Sequence, residues 1–201
     1  MISKICNSIF ENLIEEYHRM DSVDAVPVNP FERSSFEFIL YQKSWIDTVQ
    51  WHLEDMIRNP DIDPVIALQL KRRIDASNQL RTDIVEDIDT YFLQKYSQLT
   101  PDAGATSNTE SPAWAIDRLA ILALKIFHMR METERAVATP EHKKSCSEKL
   151  VLLQQQKKDL SLAIDELIKE IEQGKKIMRV YRQMKMYNDP SLNPVLYAKK
   201  N

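Results

Sequence analysis

The sequence predicts an all-α protein, and two observations lead to that prediction. Apolar residues recur three and four positions apart over long segments, as on the buried face of an amphipathic helix. The nine prolines all lie between these segments, and the chain has only two glycines, so breaks in helical structure fall at segment boundaries. No segment alternates apolar and polar residues as a half-buried strand does. We expect a single helical-bundle domain over residues 1–201, with about five helices and a long C-terminal helix.

The first two helices are predicted from an apolar stripe and a capping serine. Ile5, Ile9 and Leu13 have helical spacing, which favours a helix over residues 3–20. After a loop over residues 21–33, Ser34 or Ser35 is placed to cap a second helix over residues 36–58.

Helices three, four and five each start where a capping residue precedes a proline: Asp63-Pro64, Ser111-Pro112 and Thr139-Pro140. We expect the third helix to reach about Tyr96 and the fourth about Arg135. Between them, residues 97–108 have low apolar content, and we expect a mobile loop there.

The fifth helix is predicted to be the longest. Its leucines and isoleucines keep the spacing of a coiled-coil seam, and no proline lies between Pro140 and Pro190. A helix continuous to about Asn188, with a kink at Gly174, is on the order of 70 Å long at roughly 1.5 Å per residue. Such a helix projects from the body or supports a homodimer. Residues 189–201 are expected to form an irregular tail.

Composition indicates a soluble cytoplasmic protein without a membrane span. Hydrophobic residues make up 43% and charged residues 28%, which is ordinary for a globular chain. The formal net charge of −3 makes nucleic acid an unlikely partner. Cys6 and Cys146 are too few for a disulfide framework, as is usual in a reducing compartment.

Polar residues interrupt the fourth helix, which is apolar on almost every side and is therefore expected to be central. They are Asp117, Arg118, Lys125 and His128, and at about 100° per residue they occupy one narrow stripe. Because an unpaired buried charge is costly, we expect these groups to pair with one another, with a facing helix or with a ligand.

The third and second helices bring further polar groups to the predicted centre. Ser77 and Arg81 interrupt the apolar face of the third helix, with Asn78 beside them. A guanidinium there needs a carboxylate or phosphate-like partner, and Asp117 and Asp55 are the protein partners that we expect.

His52 lies at the edge of the apolar face of the second helix, with Thr48 and Asp55 beside it. A histidine in this position is typical of a hydrogen-bonded core residue. With His128 on a neighbouring helix, it is also a candidate for acid–base chemistry.

No metal site is predicted, and the sequence leaves the cofactor unknown. Asp83 and Glu86 could suit a magnesium site, but they point away from the apolar face of their helix. A di-iron bundle needs two Glu-x-x-His pairs, and Glu15 with His18 is the one pair present. Zinc-finger spacing and glycine-rich phosphate loops are absent.

A basic segment follows Gly174. Lys176, Arg179, Arg182 and Lys185 repeat every three residues, with Tyr181 and Tyr187 interleaved. This pattern suits a surface that grips phosphates or an acidic partner. A solvated cationic helix end is the alternative.

Four long strings of this chain resemble domain-of-unknown-function family 4254, an uncharacterised bacterial family: WIDTVQWHLEDMIR, KRRIDASNQLRTD, NTESPAWAIDRLAILALKIFHM and YRQMKMYNDPSLNPVLY. The resemblance covers nearly the whole chain and implies a helical bacterial protein, with no activity, catalytic residue or cofactor to carry over. Family members often have serine after Asp-Arg-Leu, where this chain has Ala120. The chain is also similar to proteins encoded near envelope glycosyltransferases, which implies a link to surface-polysaccharide metabolism.

Two functional hypotheses stay open. The first is a non-catalytic binding or scaffold protein, with a closed polar interior and a basic end that meets an acidic partner.

The second is an enzyme acting on a phosphate-containing small molecule such as a nucleotide or sugar phosphate. In that enzyme Arg81 would hold the anion, and Asn78, Arg118 and Lys125 would assist it. The general acid or base and its orienting carboxylate would come from His52, His128, Asp55 and Asp117. An open cavity shared by these residues favours the enzyme.

Overall fold

The computed structural model describes residues 1–184, 186 and 189–198, and within them the protein is all-helical. The helices in chain order are α1 (Ile2–Met20), α2 (Phe36–Met56), α3 (Pro64–Lys95), α4 (Pro112–Glu134), α5 (Pro140–Glu172) and α6 (Pro194–Tyr197). The all-α prediction is confirmed for these residues. Over the same residues, no helix has both the length and the apolar content that crossing a membrane requires.

The helices start at the capping residues that the sequence indicates. Ser35 Oγ accepts a hydrogen bond of 3.1 Å from the backbone N–H of Phe38, and Asp63 Oδ1 accepts one of 2.9 Å from Val65. Proline occupies the first turn of α3, α4 and α5. Ser35, Asp63 and Thr139 satisfy N–H groups that have no partner within the helix, whereas Ser111 precedes α4 without a side-chain cap hydrogen bond.

Helix α4 lies at the centre of the core. Ile116, Leu119 and Leu124 are buried and pack into one apolar cluster with residues of α1, α2, α3 and α5. Phe10 and Leu13 of α1 are buried in the same cluster. A helix that is apolar on nearly every side needs neighbours around it, as the sequence predicts.

Helices α1 and α2 run parallel to each other. Ile5, near the start of α1, shares a surface pocket with Glu37 near the start of α2. Near the other ends of the two helices, the rings of His18 and His52 lie 5.1 Å apart. The connection over residues 21–35 therefore returns along the bundle, and it brings the C-terminal ends of α1 and α2 together.

Helices α1 and α5 run antiparallel. Polar contacts join them in reverse order along the chain: Ser3 with Asp165, Asn7 with Ser161 and Glu11 with Lys157. The backbone N–H of Ser3 donates to Asp165 Oδ1 over 3.0 Å. Hydrogen bonds and an ion pair thus join the first and the last long helix directly.

Helix α5 ends at Glu172 and does not continue to Asn188 as the sequence suggested. Gly174 has a φ of +73°, a left-handed conformation that glycine adopts without steric cost. The backbone N–H of Lys175 donates to the carbonyl of Glu170 over 2.9 Å, which satisfies one of the last carbonyls of the helix. The described residues between Gly174 and α6 form no helix, so a 70 Å helix is not formed.

The extended segment after Gly174 pairs with the loop over residues 97–108. Asp102 N–H donates to the carbonyl of Gly174 (2.9 Å), and Thr106 exchanges backbone hydrogen bonds with Lys175 (3.1 Å) and Ile177 (3.0 Å). These backbone contacts join the two segments, and the expected mobility of the loop stays a prediction. In the tail, which we expected to be irregular, residues 194–197 form α6, and residues 199–201 lie outside the described chain.

Candidate functional site

Four charged side chains meet between α2, α3 and α4, and we call them the charge cluster: Lys43, Asp47, Arg81 and Asp117. The ammonium group of Lys43 contacts the carboxylate of Asp47 on its own helix and lies 2.7 Å from Asp117 Oδ1 on α4. Arg81 on α3 donates from Nε to Asp47 Oδ1 over 2.6 Å. Its Nη2 lies 3.5 Å from Asp117 Oδ1. Each cation therefore contacts both carboxylates.

Burial makes this pairing obligatory. The side chains of Lys43 and Asp47 are fully buried, and that of Asp117 is 16% exposed. A charge removed from water is tolerated when it is paired and hydrogen-bonded. Burial disfavours the charge on Arg81, but the carboxylates of Asp47 and Asp117 outweigh it and raise the pKa of the guanidinium. The guanidinium of Arg81 therefore keeps its charge.

A chain of neutral polar groups extends the charge cluster along the contact between α2 and α3. Ser77 Oγ donates to Gln50 Oε1 over 2.9 Å. Gln50 Nε2 donates in turn to Asn78 Oδ1 over 2.6 Å. These contacts explain why Ser77, Asn78 and Arg81 interrupt the apolar face of α3, since their partners lie opposite them on α2.

The sequence located half of the charge cluster correctly. Asp117 is a partner of Arg81, as expected, but Asp55 is not. Asp55 is exposed near the end of α2, and the α2 carboxylate that contacts Arg81 belongs to Asp47, two turns earlier. Lys43 and Asp47 were missed, although a Lys and an Asp four residues apart on a predicted helix are a detectable signal.

Arg118 and Lys125 lie outside the charge cluster, contrary to the expected buried stripe. Arg118 is exposed and donates to Glu110 Oε1 over 2.7 Å. Lys125 is exposed and lines a groove of about 900 Å³ between α4 and α5. The groove also holds Asp159 and Glu166, so positive and negative groups are mixed along its walls. The two basic side chains escape burial because α5 leaves this side of α4 open to solvent.

A smaller pocket of about 320 Å³ opens beside the charge cluster. Arg81, Asp117 and Asn78 line it together with Trp114. Gln183, in the segment after α5, lies at its edge. Three residues that the sequence assigns to a phosphate-binding enzyme site, Asn78, Arg81 and Asp117, thus share one pocket, but no residue of α2 lines it.

His52 and His128 lie together at a second place, between α1, α2 and α4. Their ring centroids are 5.4 Å apart, and His18 of α1 lies 5.1 Å from His52 and 5.2 Å from His128. We call these three residues the histidine cluster. His52 stacks on Tyr17 at 4.9 Å, and His128 stacks on Trp51 at 4.7 Å. The sequence placed both histidines with Arg81, and it did not place His18 with them.

The basic segment after Gly174 is not helical over its described residues up to position 184, so its three-residue spacing does not form one helical face. Arg179 and Arg182 are exposed, whereas Lys176 is partly buried. Arg182 Nε lies 3.8 Å from Glu86 Oε2. Lys185, Tyr187, Lys199 and Lys200 lie outside the described residues.

Comparison with known proteins gives one match. The family model described as "Protein of unknown function (DUF4254)" matches residues 37–180, which is more than half of the chain and includes the whole charge cluster. His18 lies before the matched region. No curated protein and no solved structure matches the chain. The chain belongs to the DUF4254 family of proteins of unknown function.

Proposed function

We propose that the protein is a helical binding protein in which the charge cluster is a structural element and not a catalytic centre. One observation carries this proposal: two cations and two carboxylates neutralise one another inside the bundle. Lys43, which no solvent reaches, lies between Asp47 and Asp117. No charge of the four remains for a substrate to neutralise.

The charge cluster also fixes how three helices align. Lys43 and Asp47 belong to α2, Arg81 to α3 and Asp117 to α4. A shift of α3 by one turn moves Arg81 by about 5.4 Å and separates it from both carboxylates. Buried polar groups act in this way to select one helix register over others.

The catalytic hypothesis has less support, because it needs an acid or base near Arg81. The ring contacts of His52 and His128 are with Tyr17, Trp51, Phe127 and the other members of the histidine cluster. A phosphate that approached Arg81 would also meet the carboxylates of Asp47 and Asp117, which repel it.

One observation favours the second candidate, an enzyme that acts on a sugar phosphate or nucleotide. The pocket of about 320 Å³ reaches Arg81 and Asp117 from the surface. A thermal-shift screen with sugar phosphates and nucleotides separates the two functions, because a ligand of the folded state raises its melting temperature. We expect no shift that depends on Arg81. A shift that disappears in Arg81→Lys would overturn the structural assignment and support the enzyme.

The exposed basic segment supports an acidic protein partner. Arg179 and Arg182 present their guanidinium groups to solvent, where they can pair with carboxylates of another chain. We expect affinity capture with the wild-type chain to retain acidic proteins that the Arg179→Glu/Arg182→Glu variant loses. Capture that is equal for both would contradict this partner assignment.

A second copy of the chain is the partner that fits α5. Val151 and Leu162 are 67% and 53% exposed, and their separation of eleven residues is about three helical turns, so both face the same side. Exposed apolar groups on one face are typical of protein interfaces. We expect a homodimer by light scattering that Val151→Glu converts to a monomer. A wild-type monomer at every concentration excludes it.

A further inference from the structure

We propose that the histidine cluster binds a divalent transition-metal ion such as Zn²⁺, with His18, His52 and His128 as its ligands. Each residue comes from a different helix: α1, α2 and α4. One ring nitrogen of each histidine lies within 4.8 Å of a ring nitrogen of the other two. Three converging imidazoles are a common ligand set for zinc.

One ring nitrogen of each histidine makes no hydrogen bond in the described part of the molecule. The Nε2 atoms of His18, His52 and His128 are all buried and have no hydrogen-bond partner there. A buried polar atom without a partner costs free energy, and each such atom needs an explanation. One metal ion satisfies all three atoms at once.

The hydrogen bond of His18 suits a metal ligand. Its Nδ1 lies 2.7 Å from the backbone carbonyl oxygen of Ile14. A carbonyl oxygen only accepts, so Nδ1 carries a hydrogen, and the lone pair of the neutral ring is then on Nε2. Metal-ligating histidines are usually held in this way, by a hydrogen bond from the other ring nitrogen to a carbonyl or carboxylate.

Burial favours the uncharged ring, the form that binds a metal, at the other two histidines. Burial, with the nearby His18, lowers the pKa of His52, and burial lowers the pKa of His128 to about 4. Asp55 and Asp21 lie close enough to act on His52 in the opposite direction. Their negative charge also favours a bound cation. His18 lies in the last turn of α1, and the C-terminal end of a helix likewise favours positive charge.

The observed spacing fits an ion after a small adjustment. Zinc–nitrogen bonds of about 2.0–2.1 Å put the nitrogens of a tetrahedral site about 3.3 Å apart. The distances between the ring nitrogens, which are now within 4.8 Å, therefore have to shorten by at most about 1.5 Å. Tyr17 and Trp51 stack on two of the rings and restrict their planes. Three protein ligands leave the fourth position of the ion for water.

The ligand chemistry defines which ions to test. Imidazole nitrogen suits Zn²⁺, Co²⁺, Ni²⁺ and Cu²⁺, whereas Mg²⁺ and Ca²⁺ prefer oxygen ligands and serve as negative controls. The sequence predicted no metal site, because positions 18, 52 and 128 form no spacing motif along the chain. The cluster is visible only when the parallel ends of α1 and α2 are placed beside α4.

The test uses the full chain after removal of metal with a chelator. Zn²⁺ is titrated in competition with a chromophoric chelator, and Co²⁺ binding is followed by its visible absorption. We expect one ion per chain, an increase in melting temperature and no response to Mg²⁺. His18→Gln and His128→Gln should each weaken Zn²⁺ binding by at least about 10-fold, since changes even outside the ligand set cost about 10–100-fold.

His142→Gln is the matched control. His142 is the fourth histidine of the chain and lies outside the cluster, with its Nε2 2.8 Å from Glu132 Oε2 and 3.3 Å from Cys146 Sγ. The control should bind Zn²⁺ like the wild type. Loss of binding in His142→Gln with retention in His18→Gln overturns the proposal, as does a thiolate-to-cobalt charge-transfer band, which would indicate Cys146. Wild-type protein that binds no Zn²⁺ also overturns it and leaves a cluster of packed neutral rings.

A measurement on the wild type keeps the test independent of folding defects in the variants. Long-range ¹H–¹⁵N spectra report on the ring nitrogens of each histidine. On addition of one equivalent of Zn²⁺, we expect the ¹⁵N resonances of His18, His52 and His128 to shift and those of His142 to stay in place. Shifts confined to His142 contradict the assignment.

Discussion

Replacement of Lys43 by methionine tests whether the charge cluster stabilises the fold. The variant leaves two carboxylates, Asp47 and Asp117, against one guanidinium in a buried place. At an effective dielectric constant of about 20, the lost attraction between Lys43 and Asp117, 2.7 Å apart, is about 6 kcal/mol. The buried ammonium no longer has to be desolvated, which offsets part of this. We expect a loss of about 3–5 kcal/mol in the free energy of unfolding, as is usual when one partner of a buried pair is removed.

Urea unfolding followed by circular dichroism measures this loss, and the chain offers a matched control. Lys71 pairs with Asp75 at the same four-residue spacing, but both side chains are about half exposed. Lys71→Met should therefore cost less than about 1 kcal/mol.

A compensating variant tests the electrostatic reason. Lys43→Met/Asp117→Leu leaves one cation and one carboxylate, Arg81 and Asp47, and should recover most of the stability that the single variant loses. The reasoning is refuted if Lys43→Met costs no more than Lys71→Met, or if the double variant is less stable than the single one.

Three further predictions follow from single side chains and one glycine. Burial raises the pKa of Asp89 to about 6, so Asp89 binds a proton more tightly in the folded protein than in the unfolded chain. The stability that this protonation contributes is fully present below pH 4 and is lost as the pH rises through 6. The free energy of unfolding of Asp89→Asn should therefore exceed that of the wild type by up to about 3 kcal/mol at pH 7.5 and by little at pH 4. Urea unfolding at both pH values measures the difference. Gly174→Ala should lose about 1 kcal/mol in the same assay, because alanine is strained at a φ of +73°, whereas Gly104→Ala should not. Asp55→Asn should leave the stability within about 0.5 kcal/mol of the wild type, because Asp55 is exposed, and a larger loss would mean that Asp55 has a buried partner.

Local signals in the sequence were sufficient to locate the helix starts. Asp63 before Pro64 satisfies the first N–H groups of α3 within three residues, so no distant part of the chain is needed to define the start. The end of α5 is different. Gly174 is the local signal, but it acts with backbone pairing to Asp102 and Thr106, about seventy residues earlier, which no periodicity reveals.

The candidate sites were predicted in part for the same reason. Arg81 had to find a carboxylate, and the sequence named Asp117 correctly. Whether Asp47 or Asp55 reaches Arg81 depends on the register of α2 against α3. That register is set by the packing of whole helices. His18 could not be joined to His52 and His128, because that contact depends on α1 running parallel to α2.

The polar contacts between α1 and α5 affect the order in which the chain folds during synthesis on the ribosome. Ser3 and Asp165 are separated by 162 positions, so α1 leaves the exit tunnel long before its partner has been translated. Contacts between such distant positions form slowly and late. The side of the nascent α1 that carries Ser3, Asn7 and Glu11 therefore stays uncovered until α5 emerges.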